Sequence, residues 1–171
     1  MSQLQSISQV GTVAVLDWKS SCAFQRVLQV DDYGCGVACL AMLVGKSYEN
    51  ARKTFLRLGF GPSRPRREPF SSNFKELIAA LHEHGLNARM VRWKGWEHVS
   101  GAGIIKVRCG GDSPAIDWHW VVAERHPLYG VVVHDPLQWA LPSFAVPPRD
   151  TPFRPLSELA PYGNWIVIER Q

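Results

Sequence analysis

The segment QVDDYGCGVACLAMLVG, residues 29–45, constrains the fold more than any other part of the 171-residue chain. It begins polar, passes through Gly34-Cys35-Gly36 and turns almost wholly apolar. Val37, Leu40, Ala41 and Val44 recur at helical spacing, which predicts a helix starting near Val37 with Gly45 as its C-cap. Cys35 then stands at the mouth of an apolar helix, with Gln29 six residues upstream.

The pattern continues helical to residue 85. Ser47 is placed to N-cap a second helix, YENARKTFLRL, that Gly59 ends. Residues 59–69, GFGPSRPRREP, read as a loop by their Pro and Gly content. Asn73 and Glu76 have capping-box spacing ahead of a third helix, whose stripe is Phe74, Leu77, Ile78 and Leu81 and which Gly85 stops. His82 and His84 sit near its end, where a helix dipole favours them. From residue 86 the period shifts to that of strands: LNARMVRW (86–93), GIIKVRC (103–109), HWVVAE (119–124), GVVVHD (130–135) and NWIVIER (164–170). HPLYG (126–130) joins two of these as a hairpin. Residues 136–161 carry seven prolines and read as an ordered loop wrapping the sheet, anchored by Trp139, Phe144 and Phe153. VGTVAVLD (10–17) reads as a first strand rather than a signal peptide, since no basic region precedes it. Helices followed by an antiparallel sheet predict one α+β domain over 1–171, with a helical half at about 29–85 and a β half at about 86–171.

Hydrophobic residues make up 46% of the chain, enough to fold rather than remain disordered. No apolar run reaches the ~18 residues that span a bilayer. The net charge of +4 is concentrated in residues 52–70, which carry Arg52, Lys53, Arg57, Arg64, Arg66 and Arg67. A solvated helix face followed by a Pro-rich loop is the favoured reading of that cluster over a nucleic-acid surface. Cys22, Cys35, Cys39 and Cys109 form no CxxC pair, and the six histidines (82, 84, 98, 119, 126 and 134) fall into no metal-ligand spacing. Neither a disulfide nor a metal or other cofactor is expected.

Chemistry concentrates on a few residues. Gly34 and Gly36 leave the Cys35 thiol little cover, and the nearby helix N-terminus favours thiolate. A thiolate needs a proton-transfer partner titrating near neutrality, and His119, opening an apolar strand, fits. With the turn at 126–130, hairpin pairing sets residue 119 roughly opposite 136 or 137, which brings Asp135 within reach of His119 as an orienting acceptor. Asp117 is a weaker rival for that role. Gln29 and the Cys35 backbone N–H could supply two donors to an oxyanion. Cys39, one turn into the helix, reads as core. Trp118 and Trp120 read as core or cover, and Gly110-Gly111 as a flexible turn.

At these residues the chain resembles the papain-like cysteine peptidases, most closely the branch that processes bacteriocin leader peptides after a double glycine. That branch has Gln, five residues, then Cys-Gly with Ala-Cys-Leu-Ala-Met following. Here Gln29 and five residues precede Cys35-Gly36-Val37-Ala38-Cys39-Leu40-Ala41-Met42. Its second block, His, an aromatic and a β run, matches His119-Trp120-Val121-Val122, and its third matches Asp135-Pro136. The resemblance spans residue 29 to about 136. It implies a papain-like α+β fold, with Cys35 as nucleophile, His119 as general base, Asp135 as orienter and Gln29 in the oxyanion hole. It implies a protein or peptide substrate cut after small residues such as Gly-Gly. Stand-alone relatives include toxin-like effectors. That brings in an inhibitor or immunity protein at the cleft, and either a cytoplasmic location or signal-peptide-independent delivery into another cell. Two departures stand out. The family often has Asp directly before the cysteine, where this chain has Gly34 with Asp31 and Asp32 upstream. The loop 59–69 is unusually basic. Papain-like folds also host transferases and deamidases, and a catalytically silent module using the basic 52–67 region is the reading furthest from catalysis.

Overall fold

The computed structural model describes residues 17–108 and 118–169. The strand expected over 10–17 falls outside them except for Asp17, as do Cys109, Gly110, Gly111 and Asp117.

A short helix α1 (Trp18–Ser21) leads into three longer ones, α2 (Cys35–Val44), α3 (Tyr48–Arg57) and α4 (Phe74–Glu83). Helix α2 starts at Cys35 itself, two residues earlier than the apolar spacing suggested, because Gly34 takes the N-cap position. It buries every residue from Gly36 to Leu43. A helix apolar on all sides must be enclosed by other elements, and α3, α4 and the sheet enclose it. The sequence signals for α3 and α4 are realised as bonds: Ser47 Oγ accepts from the Asn50 N–H, and Asn73 with Glu76 forms a complete capping box. The capping-box bonds are 2.9 Å (Glu76 N–H to Asn73 Oδ1) and 3.0 Å (Asn73 N–H to Glu76 Oε2).

Seven strands follow: β1 (Ala88–Arg92), β2 (Ala102–Arg108), β3 (His119–His126), β4 (Gly130–His134), β5 (Ser143–Phe144), β6 (Arg154–Pro155) and β7 (Ala160–Ile168). They form one sheet in the order β1-β7-β2-β3-β4-β5-β6. All pairings are antiparallel except β5 with β6, so the sheet is mixed rather than purely antiparallel as expected. That exception is a two-residue contact on the edge, where Pro155 lacks an N–H that a central strand would need. The β3–β4 ladder pairs Val122 with His134 and His126 with Gly130. Extended by the same register, it sets residue 119 opposite 137.

Strand β3 is buried on both faces, which accounts for its unbroken apolar run. Trp120 and Val122 pack with Ile104, Ile166 and the helices, while Val121 and Ala123 pack with Ile105, Val107, Val131 and Trp165 on the other side. A third small cluster joins Cys22, Val132 and Phe144. The loop beyond Pro136 corrects one expectation. Phe144 anchors it, buried and edge-on to Trp18 at 4.9 Å, but Trp139 is 74% exposed and Phe153 39%. The reason is pairing: Phe144 lies on a strand held by β4, whereas Trp139 and Phe153 lie in stretches without a ladder partner.

Phe144→Ala is expected to lower unfolding stability by about 3–5 kcal/mol, the range for truncating a buried aromatic. Trp139→Ala should change it by less than about 0.5 kcal/mol. Urea denaturation of the two variants beside wild type checks the contrast.

Candidate active site

Cys35 is the first residue of α2, and no side chain caps that end. The N–H groups of a first helical turn lack intrahelical partners and carry the positive end of the dipole. Two close approaches fix the helix start. A Cβ on Gly34 would lie 1.9 Å from Tyr48 Oη, and one on Gly36 would lie 2.1 Å from Ser72 Oγ. Glycine is therefore required on both sides of the cysteine by packing, and Tyr48 occupies the space an aspartate before Cys35 would need. Tyr48 Oη accepts from the Asp31 N–H at 3.1 Å and donates to Asp31 Oδ2 at 2.8 Å. Arg52 Nε pairs with the same carboxylate at 3.0 Å. Asp31 thus braces the turn ahead of the cysteine.

His119 and Asp135 meet as the hairpin register predicted. His119 Nε2 lies 3.2 Å from Asp135 Oδ2, and both side chains are buried. Asp135 Oδ1 accepts from the Leu137 N–H at 2.9 Å, which fixes the carboxyl's rotation. The strand end is also tied to the chain that carries Gln29. Arg26 Nε donates to the Asp135 carbonyl at 2.6 Å and its Nη2 to the Leu137 carbonyl, while the Gln29 N–H donates to the Pro136 carbonyl at 3.0 Å. Burial lowers the affinity of Arg26 for its proton, and the Asp135 charge works against that.

Cys35, His119 and Gln29 line one cavity of about 450 Å³, together with Ser72, Phe74, Trp118 and Lys106. The Gln29 amide Nε2 donates to the carbonyls of Asp32 (3.1 Å) and Asp31 (3.4 Å), and its Oε1 is buried without a hydrogen-bond partner. Since the carbonyls hold the NH₂ end, the amide's orientation is settled. Trp118 and Trp120 both line the cavity, and Trp120 is buried, with its indole N–H donating to the Ser72 carbonyl at 3.3 Å. Ser72 was not legible in the sequence: its importance comes from a contact with Gly36, thirty-six positions away.

The other two described cysteines are different in kind. Burial pushes the Cys39 thiol well above its ordinary value. Burial, reinforced by the neighbouring Glu124 charge, pushes Cys22 up to about 12. Cys22, Glu124 and His134 put ligand-type atoms within 4.8 Å of one another, the reach of a single cation. Their existing bonds already use those atoms. Glu124 accepts from His134 Nε2 at 2.7 Å and from the N–H groups of Ala23 (2.8 Å) and Phe24 (3.4 Å). The cluster is a hydrogen-bonded clasp between the sheet and the segment that leads to Gln29. Burial alone would raise the Glu124 pKa, but the His134 bond, the two amides and the His134 charge outweigh it and leave it lowered.

The basic cluster is largely consumed within the protein. Arg52 pairs with Asp31, Arg57 with Glu83, and both Arg64 and Arg67 with Glu76, the capping-box residue of α4. The loop 59–69 is thereby clamped to a helix start, which argues against a nucleic-acid surface.

No protein-family model matches the chain, and no curated protein matches its sequence. Solved structures do match. One is the peptidase domain of Streptococcus ComA, a bi-functional ABC transporter involved in a quorum-sensing pathway, at 15% identity and TM-score 0.59, covering 85% of this chain and 98% of that one. Another is a double glycine motif protease from an AMS/PCAT transporter, solved with its leader peptide, at 19% identity and TM-score 0.55, covering 86% of this chain and 92% of that one. The protein therefore has the α+β fold of papain-like peptidase domains. Among the described residues no helix is long and apolar enough to cross a membrane.

Two stability measurements check this geometry. Gly36→Ala should destabilise by about 1–3 kcal/mol through overpacking, and adding Ser72→Ala should recover part of that loss, read as a double-mutant coupling in urea. Glu124 has a lowered folded pKa, so its contribution is present above the ordinary value of 4.5 and lost as pH falls through the folded value. Thermal melts should show Glu124→Gln well below wild type at neutral pH, with the gap closing in acid.

Proposed function

We propose that the protein is a cysteine peptidase acting through Cys35, His119 and Asp135. The observation that carries the reading is the buried His119–Asp135 pair, which opens onto the same cavity as a cysteine at an uncapped helix start. With Nε2 turned to Asp135, the Nδ1 atom of His119 is the nitrogen that serves Cys35. Asp135 holds the imidazole's tautomer and stabilises the imidazolium. The Cys35 thiolate adds to a peptide carbonyl, and the developing oxyanion takes donors from the Cys35 N–H and from the Gln29 amide, which gives up its longer 3.4 Å bond to the Asp31 carbonyl to do so. His119 protonates the departing amine. Water, deprotonated by His119, then releases the acid from the thioester. The likeness to a double glycine motif protease supports a peptide substrate with small residues, Gly-Gly in the first instance, before the cut.

Hydrolysis of Gly-Gly peptides, followed by mass spectrometry, tests this. Two fragments separated at the glycine support it, while a gain of about one dalton in an uncut chain would identify a deamidase instead. Cys35→Ala should abolish cleavage, and Asp135→Asn should lower kcat by a factor on the order of 10² to 10⁴. In wild type, iodoacetamide should label Cys35 well below the ~8.5 of an ordinary thiol, and His119→Ala should remove that advantage. Cys22 and Cys39 should stay unlabelled at neutral pH. Labelling of Cys35 no faster than an ordinary thiol, with no cleavage, would sink the peptidase reading.

A further inference from the structure

The cations around the cleft divide by what they already hold, and Arg66, on the loop 59–69, lines it beside Lys106 with no ion pair among the described residues. Arg52, Arg64 and Arg67 are committed to carboxylates, and Arg26 to backbone carbonyls. Lys106 lines the same cavity as Cys35 and His119, and no ion pair among the described residues includes it. Its ammonium instead stands 4.3 Å from the ring centre of Trp118, 5.0 Å from that of Tyr162 and 5.9 Å from that of Phe74. Aromatic faces attract a cation and hold it in place, but a ring quadrupole carries no net charge and leaves the ammonium un-neutralised. Lys106 is half-buried on the central strand β2, so its stem is fixed by the sheet while its head reaches the cleft.

Its position relative to the chemistry follows from the register. Lys106 pairs with Trp120, and its neighbour Val107 pairs with His119. Adjacent strands lie about 5 Å apart and a residue advances about 3.3 Å. The ammonium is thus within about three residues' length of the scissile bond of an extended peptide lying against His119. Arg108, two residues on and on the same face of β2, sits 5.1 Å over the other neighbour, Tyr162, and adds positive charge to that end. Two carboxylates, Asp32 and Glu68, also line the cleft, and neither pairs with Lys106. Asp32 belongs to the turn before Cys35 and Glu68 shares its loop with Arg66 and Arg67, so both signs of charge meet there, while the β2 part of the lining is cationic.

We propose that Lys106 is a specificity residue that binds a carboxylate of the substrate, so that this cleft selects acidic peptides. The proposal rests on the peptidase reading for what the cleft holds, and its test is built to fail separately. The ring cage fixes the ammonium before the ligand arrives, which spares the entropy of ordering a lysine side chain. A partly desolvated site also strengthens the ion pair relative to bulk water.

The experiment uses the Cys35→Ala protein, titrated with Gly-Gly decapeptides in which a single Glu is moved across the positions flanking the glycines, each beside its Gln counterpart. Binding is read by anisotropy of an uncharged dye. At one position or two adjacent ones the Glu peptide should bind roughly tenfold tighter than the Gln peptide, an advantage that shrinks as salt rises. Lys106→Met, which keeps the stem, should bring the ratio to about one, and Lys106→Arg should retain most of it. Thermal melts show that each variant folds, and Lys106→Gln substitutes for Lys106→Met if the latter does not. A ratio near one at every position in the unsubstituted cleft overturns the proposal, as does a ratio that survives loss of the lysine. Hydrolysis is scored separately on wild type. Cleavage without charge preference leaves the peptidase and removes the Lys106 role. Lysine-dependent selective binding without cleavage does the reverse.

Discussion

The burial of α2 on every side is the constraint from which the rest of the structure follows. Eight consecutive residues, Gly36 to Leu43, are withdrawn from water, so the helix can exist only inside a shell of other elements. At roughly 1.5–3 kcal/mol for each large apolar side chain removed from water, no alternative placement of this segment competes. The shell is α3 and α4 on one side and β3 with its neighbours on the other. One end of so enclosed a helix still has to meet the surface, and that end is Cys35, half-buried at the cavity. The position of Cys35 is a consequence of core packing, and the glycines on either side are what let Tyr48 and Ser72 close in around it.

Polar bonds then register the second half of the chain against the first. Arg26 grips the carbonyls of 135 and 137, Gln29 bonds to the carbonyl of Pro136, and Glu124 holds the amides of 23 and 24. Segment 22–29 is thereby laced to β3 and β4 before it turns into α2. The same lacing brings Asp135 and Gln29 to one locality from positions more than a hundred residues apart. Burial makes each of these bonds costly to break, because a carbonyl or carboxylate left unpaired there pays its full desolvation penalty. The two orphaned oxygens beside the cysteine, on Gln29 and Ser72, stand out against this otherwise satisfied network.

Electrostatics follow the same economy. The positive charge of residues 52–67 reads in the sequence as a solvated helix face and loop, and four of its arginines in fact close on Asp31, Glu83 and Glu76. Lys106, a cleft cation in no ion pair among the described residues, is on a central strand, where composition gives no hint of it. Net charge counted along a sequence says little about which groups are available to a ligand, since ion pairs form between residues far apart in the chain.

The sequence by itself determined the capped starts of α3 and α4, the hairpin and the order of helices before strands. Each rests on local chemistry: the Ser47 cap, the Asn73–Glu76 box, the turn between His126 and Gly130. It also pointed to Cys35, Gln29, His119 and Asp135 as one set, since motif spacing links Cys35 with Gln29 and the hairpin register links His119 with Asp135. What only the tertiary structure decided are the matters that depend on distance through space. They include the parallel edge contact of β5 and β6, the exposure of Trp139 and Phe153 against the burial of Phe144, and the turning of the Gln29 amide toward the carbonyls of Asp31 and Asp32. The closing of Ser72 on Gly36, the Cys22–Glu124–His134 clasp and the aromatic cage around Lys106 belong there too. The physical reason is common to all of them. Local signals act over one turn or one hairpin, whereas close packing and buried hydrogen bonds join residues by shape, and shape exists only after the chain has folded.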